Sequence, residues 1–266
     1  MIRDITLGQY YRGESSIHRI DPRLKIVMTV VYMVSLFVID NFVGFAVAFV
    51  FMSLVIALSK VPVRFILRGL KPIFLIIIFT FILNLFMYDG TIIFKIGFLK
   101  VTKEGLYVAV FMAIRLIFLI IGSSMLTLTT RPISLTDGIE RLLSPLNRIG
   151  VPSHELAMMM TIALRFIPTL LEETDKIMKA QQARGADFET GNILNRAKNL
   201  IPVLVPLFIS AFRIAQDMAM AMEARCYRGG EGRTRMNQMK MGRIDIITGV
   251  LFILYMTIII MMRVIL

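Results

Sequence analysis

The sequence predicts an all-α membrane protein, with about five transmembrane helices and a cytoplasmic bundle of long amphipathic helices. Three observations carry that prediction. Hydrophobic residues make up 57% of the 266-residue chain and the mean hydropathy is +0.75, whereas a soluble domain is roughly 45–50% apolar. Uncharged apolar runs occupy Ile26–Ile39, Asn41–Ser59, Pro72–Tyr88, Leu116–Thr130 and Ile246–Met262. Positive charge is concentrated on one side of the alternation those runs create.

Crossing a bilayer takes about 20 residues. The first run is short, but it follows Asp21-Pro22, an N-cap and N1 pair. A helix counted from there can span, with Arg23 and Lys25 at the interface. The fourth run extends back to about Gly105 and encloses Arg115. The first 25 residues carry Arg3, Arg12, Arg19, Arg23 and Lys25, and the 60–71 loop carries Lys60, Arg64, Arg68 and Lys71. The 131–243 region carries sixteen Lys or Arg. The Asp40-Asn41 turn carries none, and the 89–104 loop sets three lysines against two acids. The excess of Lys and Arg predicts that the N-terminus, the 60–71 loop and the 131–243 region are cytoplasmic and the C-terminus lies outside. The organisation expected is therefore a membrane part with four spans (1–130), a cytoplasmic or interfacial helical region (131–243) and a closing span (244–266).

The middle region is too apolar for a solvated loop. Glu155–Arg184 reads as one long amphipathic helix, with Leu156, Met159, Ile162, Phe166, Leu170 and Ile177 at three- and four-residue steps. Lys198–Arg225 reads as a second, opening on the uncharged run Asn199–Phe212, and Ser134–Arg148 as a third. Pro132 and Pro152 open helical segments. Such helices suit the lipid interface.

Several functions are excluded or left without support. The chain has no Gly-x-x-x-x-Gly-Lys-Ser/Thr loop to cradle phosphates, and Arg228–Arg233 reads as a flexible link. The single Cys226 excludes an intrachain disulfide. His18 and His154 lack companions at metal spacing, so no metal site is expected, and His18 fits a loop or capping role. Glu172, Glu173 and Asp175 fill a solvated helix face. The net charge of +12 reads as cytoplasmic loops against anionic lipid rather than as nucleic-acid binding. The first 20 residues are polar, so no secretory leader is expected. Arg115 inside a span is either functional or an arginine that snorkels to the interface or braces neighbouring helices; with no acidic partner in any span, the second reading is favoured.

Two stretches echo each other: Ala180-Gln181-Gln182-Ala183-Arg184-Gly185 and Ala221-Met222-Glu223-Ala224-Arg225-Cys226. Each ends a long helix. A terminal Arg complements a helix dipole, but the repetition suggests a pair of docking tips, because a guanidinium grips a partner carboxylate through two parallel hydrogen bonds. Met158, Met159, Met160, Met218, Met220 and Met222 cluster on the same helices, where a Met-rich surface either packs a helix core or re-packs against partners.

With these residues the chain resembles the transmembrane T component of energy-coupling factor transporters, a class of ABC importers. The marks are Gly8-Gln9-Tyr10 through Ser16-Ile17-His18-Arg19-Ile20-Asp21-Pro22-Arg23, then Leu143-Ser144-Pro145-Leu146 and Ala163-Leu164-Arg165-Phe166-Ile167-Pro168. They continue with Gln182-Ala183-Arg184-Gly185 and Glu223-Ala224-Arg225-Cys226-Tyr227-Arg228-Gly229-Gly230. The resemblance covers essentially the whole chain. It implies a non-catalytic scaffold in the cell membrane, coupling two cytoplasmic ATPases to a small substrate-binding S component for vitamin or micronutrient uptake. ATP and magnesium would be bound by the ATPases and no cofactor by this chain. It also implies that Ala183, Arg184, Gly185, Ala224, Arg225 and Cys226 dock on the ATPases, and with an S component as partner the Met-rich surface of the six methionines is the candidate S-component face. Cys226 stands where the family pattern has Gly, so a left-handed helix ending is less expected there. The competing expectation is a self-sufficient secondary transporter or channel, which calls for polar residues and broken helices at mid-membrane.

Overall fold

The computed structural model describes residues 10–96, 99–186, 188, 193–229 and 241–265. The elements are α1 (Pro22–Val38), α2 (Phe42–Ser59), α3 (Val63–Leu70), α4 (Phe74–Met87), β1 (Ile92–Ile96), β2 (Leu99–Thr102), α5 (Lys103–Thr129), α6 (Pro132–Leu143), α7 (Ser153–Ala183), α8 (Ile193–Ala224) and α9 (Arg243–Ile265). Among the described residues the chain is all-α apart from one hairpin. Among the described residues, six helical segments are long and apolar enough to cross a membrane: Phe42–Ser59, Val63–Met87, Lys103–Thr129, Ser153–Ala183, Lys198–Ala224 and Arg243–Ile265. Four correspond to expected spans. The first expected span is the 17-residue α1. The other two are α7 and most of α8, which the sequence places at the interface. The hairpin is a correction: the 89–104 stretch is not only a loop, because β1 and β2 pair antiparallel with Ile96 opposite Leu99 and Ile92 opposite Thr102.

Two compact units divide the chain: the described parts of residues 8–142 and 238–266 form one, those of 143–237 the other. In the first, α1 starts where Asp21 accepts a hydrogen bond from the Arg23 backbone N–H (2.9 Å) and Pro22 occupies N1. Its core is aromatic. Phe45 meets Phe111 edge-on at 4.7 Å, and Phe51 stacks on Tyr255 at 4.3 Å, geometries that add to simple burial. Buried polar groups here are joined across great sequence distance. Asp245 caps α9 by accepting from the Gly242 N–H (2.7 Å), and its other oxygen accepts from the Asp21 N–H (2.8 Å). The buried Lys25 ammonium donates to the Thr129 carbonyl at 3.0 Å. These bonds tie the entrances of α1 and α9 to the exit of α5.

In the second unit, residues Ser144–Ile149 form 3₁₀ turns that end at Gly150, and α7 packs against α8. The pair is antiparallel. The Gln181 side chain, near the end of α7, donates to the Pro202 carbonyl in the first third of α8 (3.2 Å). At the other end the Tyr227 hydroxyl, just past α8, lies 3.5 Å from His154 Nε2 in the first turn of α7. Both helices begin close to their expected positions, α7 at Ser153 and α8 five residues before Lys198.

Candidate functional site

The two echoing stretches end their helices with the same backbone knot. At the end of α7, the N–H of Gly185 bonds the Gln182 carbonyl (2.9 Å) and that of Ala186 the Gln181 carbonyl (3.0 Å). At the end of α8, the N–H of Cys226 bonds the Glu223 carbonyl (2.8 Å) and that of Tyr227 the Met222 carbonyl (3.1 Å). Each is a Schellman ending, which satisfies carbonyls that a helix terminus otherwise leaves without donors. Arg184 and Arg225 occupy the same C-cap position. The left-handed residue that follows is Gly185 (φ 89°) in one and Cys226 (φ 54°) in the other. The expectation that Cys226 disfavours this ending is thus corrected. A small L-residue tolerates φ near 55°, inside the αL well, and the two bonds it permits offset a local cost of roughly 1–2 kcal/mol.

Ala183, Arg184, Gly185, Ala224, Arg225 and Cys226 are all exposed. Because the helices are antiparallel, the tips lie at opposite ends of the pair. From His154, beside Tyr227, to Arg184 is about 45 Å of helix. Two cations at that separation cannot serve one small groove, but they can grip two separate carboxylate-bearing surfaces.

The supports of the tips differ. Gln181 in the first corresponds to Met222 in the second, and Ala186 to Tyr227. Gln181 does something sequence reasoning missed. Pro206 has no N–H, so the Pro202 carbonyl lacks its i+4 donor, and the Gln181 amide supplies one. The first tip is therefore hydrogen-bonded into the proline-interrupted part of α8. That part carries exposed Ile201, Val205, Phe208 and Phe212 along one face, Phe208 at 63% and Phe212 at 68%. These residues were visible as the uncharged run Asn199–Phe212 but not singled out. Of the six methionines, Met159 and Met220 are exposed, and Met158, Met160, Met218 and Met222 are half-buried. The polar face of α7 is solvated, with Lys176 pairing Glu173 at 3.5 Å.

Arg115 is engaged as a brace. Its guanidinium donates to the Ile39 carbonyl at the C-terminus of α1 (3.0 Å) and lies over the rings of Phe37 and Phe111, at 5.4 and 5.1 Å. Positive charge at a helix C-terminus is favourable, and both aromatic faces attract it. His18 sits in the turn before α1, its Nδ1 2.6 Å from Ser15 Oγ and its Nε2 3.1 Å from the Tyr11 carbonyl. Burial holds its pKa below the ordinary value, and the hydrogen bonds from Arg23 hold Asp21 below the usual carboxylate range. Among the described residues no cluster of His, Cys, Asp and Glu could hold a metal ion. Of the Gly-rich stretch Arg228–Arg233, residues 230–233 lie outside the described residues.

The family model described as cobalt transport protein matches residues 13–236. A protein of Thermosediminibacter oceani named energy-coupling factor transporter transmembrane protein EcfT is 62% identical over 245 residues, 92% of each chain. The protein of that name from Clostridium kluyveri is 58% identical over 266 residues, 99% of this chain and 98% of its own. The one from Bacillus subtilis is 50% identical over 236 residues, 88% of this chain and 89% of its own.

Proposed function

The chain belongs to the cobalt transport protein family, as a multi-pass transmembrane component of energy-coupling factor transporters, and from that membership we propose that it is the scaffold through which two cytoplasmic ATPases drive a substrate-binding S component. The observation that carries this reading is the pair of identical Schellman endings, each with an arginine at the C-cap, at opposite ends of one antiparallel helix pair. One tip serves each ATPase. A buried Arg–carboxylate contact at each gives register as well as affinity, and small Ala183 and Ala224 let the receiving groove close on the helix end.

Movement of a docked ATPase would pull on a tip, and the first tip is bonded to the Pro202–Pro206 segment of α8. The exposed apolar face of that segment, with Met159 and Met220, is the surface offered to the S component. ATP and Mg²⁺ are handled by the ATPases, and the solute is a vitamin or micronutrient. The basic N-terminus and the α7–α8 pair lie on the cytoplasmic side of the cell membrane, following the distribution of Lys and Arg. With Arg115 engaged by Ile39 and two aromatic rings, the main feature that favoured a self-contained transporter loses its weight.

The test is purification of the tagged chain from its own membranes. Two ATPase chains and one small hydrophobic subunit should accompany it, and ATP hydrolysis should belong to the assembly and vanish from the chain alone. A chain that purifies without ATPases yet carries solute into vesicles would overturn the scaffold reading.

A further inference from the structure

The first unit carries a polar cavity and an apolar groove on the two sides of one lysine. The cavity, about 440 Å³, is lined among others by Tyr10, His18, Arg19, Lys25, Thr130 and Arg131, a size typical of small-ligand sites. The groove is walled by Leu54, Val55, Leu58, Leu126 and Leu251. Ile20, Lys25 and Thr129 belong to both. Leu54, Leu58 and Leu251 are exposed on spanning helices, so the groove faces lipid.

The charges around the cavity are unequally engaged. Asp21 is held by Arg23 through bonds of 2.7 and 3.0 Å. Asp245, which faces Lys25 from α9, is occupied by the backbone N–H groups of Asp21 and Gly242. Glu14 lies 3.7 Å from Arg19 at the exposed rim. The buried Lys25 ammonium, by contrast, bonds only neutral oxygens: the carbonyls of Thr129 (3.0 Å) and His18 (3.5 Å), and Thr130 Oγ1 (3.4 Å). Arg131 lies over the face of Tyr10 at 5.8 Å. An anion entering the cavity meets two cations without having to displace a carboxylate.

The floor of the groove is a tightly packed tyrosine. Tyr32 lines it and is 3% exposed, yet its hydroxyl makes no hydrogen bond among the described residues. Gly122 makes room for that ring, since a Cβ there would come within 2.6 Å of Tyr32 Cε1.

We propose that this two-part site holds one anionic phospholipid of the surrounding bilayer. Its phosphate sits between Arg131 and Lys25, and one acyl chain lies along Leu54, Leu58 and Leu251. A free phosphate would leave the groove empty, and a neutral lipid would bring no counter-charge to Arg131 and Lys25. Only a molecule with an anionic head and an apolar tail satisfies both halves. The inference stands apart from the ATPase-docking reading.

The full chain, reconstituted in nanodiscs of equal phosphatidylglycerol and phosphatidylcholine, can be released into a mass spectrometer under native conditions. One phosphatidylglycerol should stay bound per chain, preferred over phosphatidylcholine. Arg131→Gln should weaken that preference about fivefold, since a basic residue near an anionic lipid surface contributes about 1 kcal/mol. Leu58→Trp, which fills the groove and leaves the charges alone, should release the lipid. Both substitutions lie at the surface, so the fold is kept. Equal retention of the two lipids, retention unchanged in both variants, or displacement of bound lipid by millimolar inorganic phosphate would overturn the assignment.

Discussion

The first unit buries charged groups, and the α7–α8 pair leaves its two terminal arginines outside. In the first, Asp21, Lys25, Ser35 and Asp245 are all buried and all hydrogen-bonded within the unit. In the second, Arg184, Arg225, Phe208 and Phe212 are exposed. A buried charge without a partner destabilises a fold, and these three charged groups and Ser35 all find partners inside the unit. The helix pair ends in two exposed arginines that no described residue pairs with, which is why the docking proposal rests on the tips.

That contrast can be broken at its buried side first. Asp245→Ala should have the largest effect, because two backbone N–H groups lose a charged acceptor, each such bond contributing about 1.5–3 kcal/mol. Thermal unfolding of the detergent-solubilised chain should show a clear fall in Tm, while Arg184→Ala in the same assay should change it little. Equal Tm for Asp245→Ala and the parent chain would mean that the link between α1 and α9 is idle.

The two tips sharpen the contrast within the helix pair. Exchanging their left-handed residues should move them in opposite directions. Gly185→Cys should loosen the first tip and Cys226→Gly should tighten the second, each by roughly 1–2 kcal/mol. Amide exchange at Ala186 and Tyr227, the N–H groups that close the two knots, reads the change. Shifts of the same sign at both tips would contradict their equivalence.

A double-mutant cycle tests the proline link. Gln181→Leu should cost about 1 kcal/mol, because the Pro202 carbonyl loses its donor. In a Pro206→Ala background the restored backbone N–H takes that carbonyl, so Gln181→Leu should then be close to neutral. Additive losses would mean that Gln181 acts through something else.

The smallest effect expected is that of His18. Its folded pKa lies below the unfolded value of about 6.5 because of burial. Below pH 6.5 the unfolded chain therefore binds the proton first. Stability should decline as the pH falls from 6.5 through the folded pKa and then level off. Asp21, shifted down by Arg23, should hold its contribution until more acidic pH and lose it as the pH drops through its own folded value. His18→Gln should flatten the first of these declines in a pH series of unfolding curves; an unchanged decline would assign it to another group.

Spans α2, α4, α5 and α9 were legible because a bilayer selects long runs with few or no charges, and the start of α1 because Asp21-Pro22 is a local signal. The two tips were legible as a repeated hexapeptide. What escaped was long-range or a balance of opposing terms. Asp21 and Asp245 meet across 224 positions, and nothing local marks that pairing. The orphaned carbonyl at Pro202 follows from Pro206, but its donor comes from another helix. The acceptor for Arg115 is a backbone carbonyl, invisible to a search for acidic partners. The left-handed Cys226 was misjudged because the steric cost is local while the two bonds that offset it belong to the whole helix end. The hairpin at 92–102 was passed over because its strands are short and lie beside strongly apolar helices.

The central claim is that each tip holds one ATPase, and the mass of the assembled complex tests it most directly. The chain co-expressed with its ATPases should carry two of them. Arg184→Glu and Arg225→Glu should each carry one, and the double variant none, since losing one partner of a buried charge pair costs about 2–5 kcal/mol. If the arginines only cap their helices, reversal costs about 0.3–1 kcal/mol of helix stability, and two ATPases remain on every variant. That second result would contradict the account.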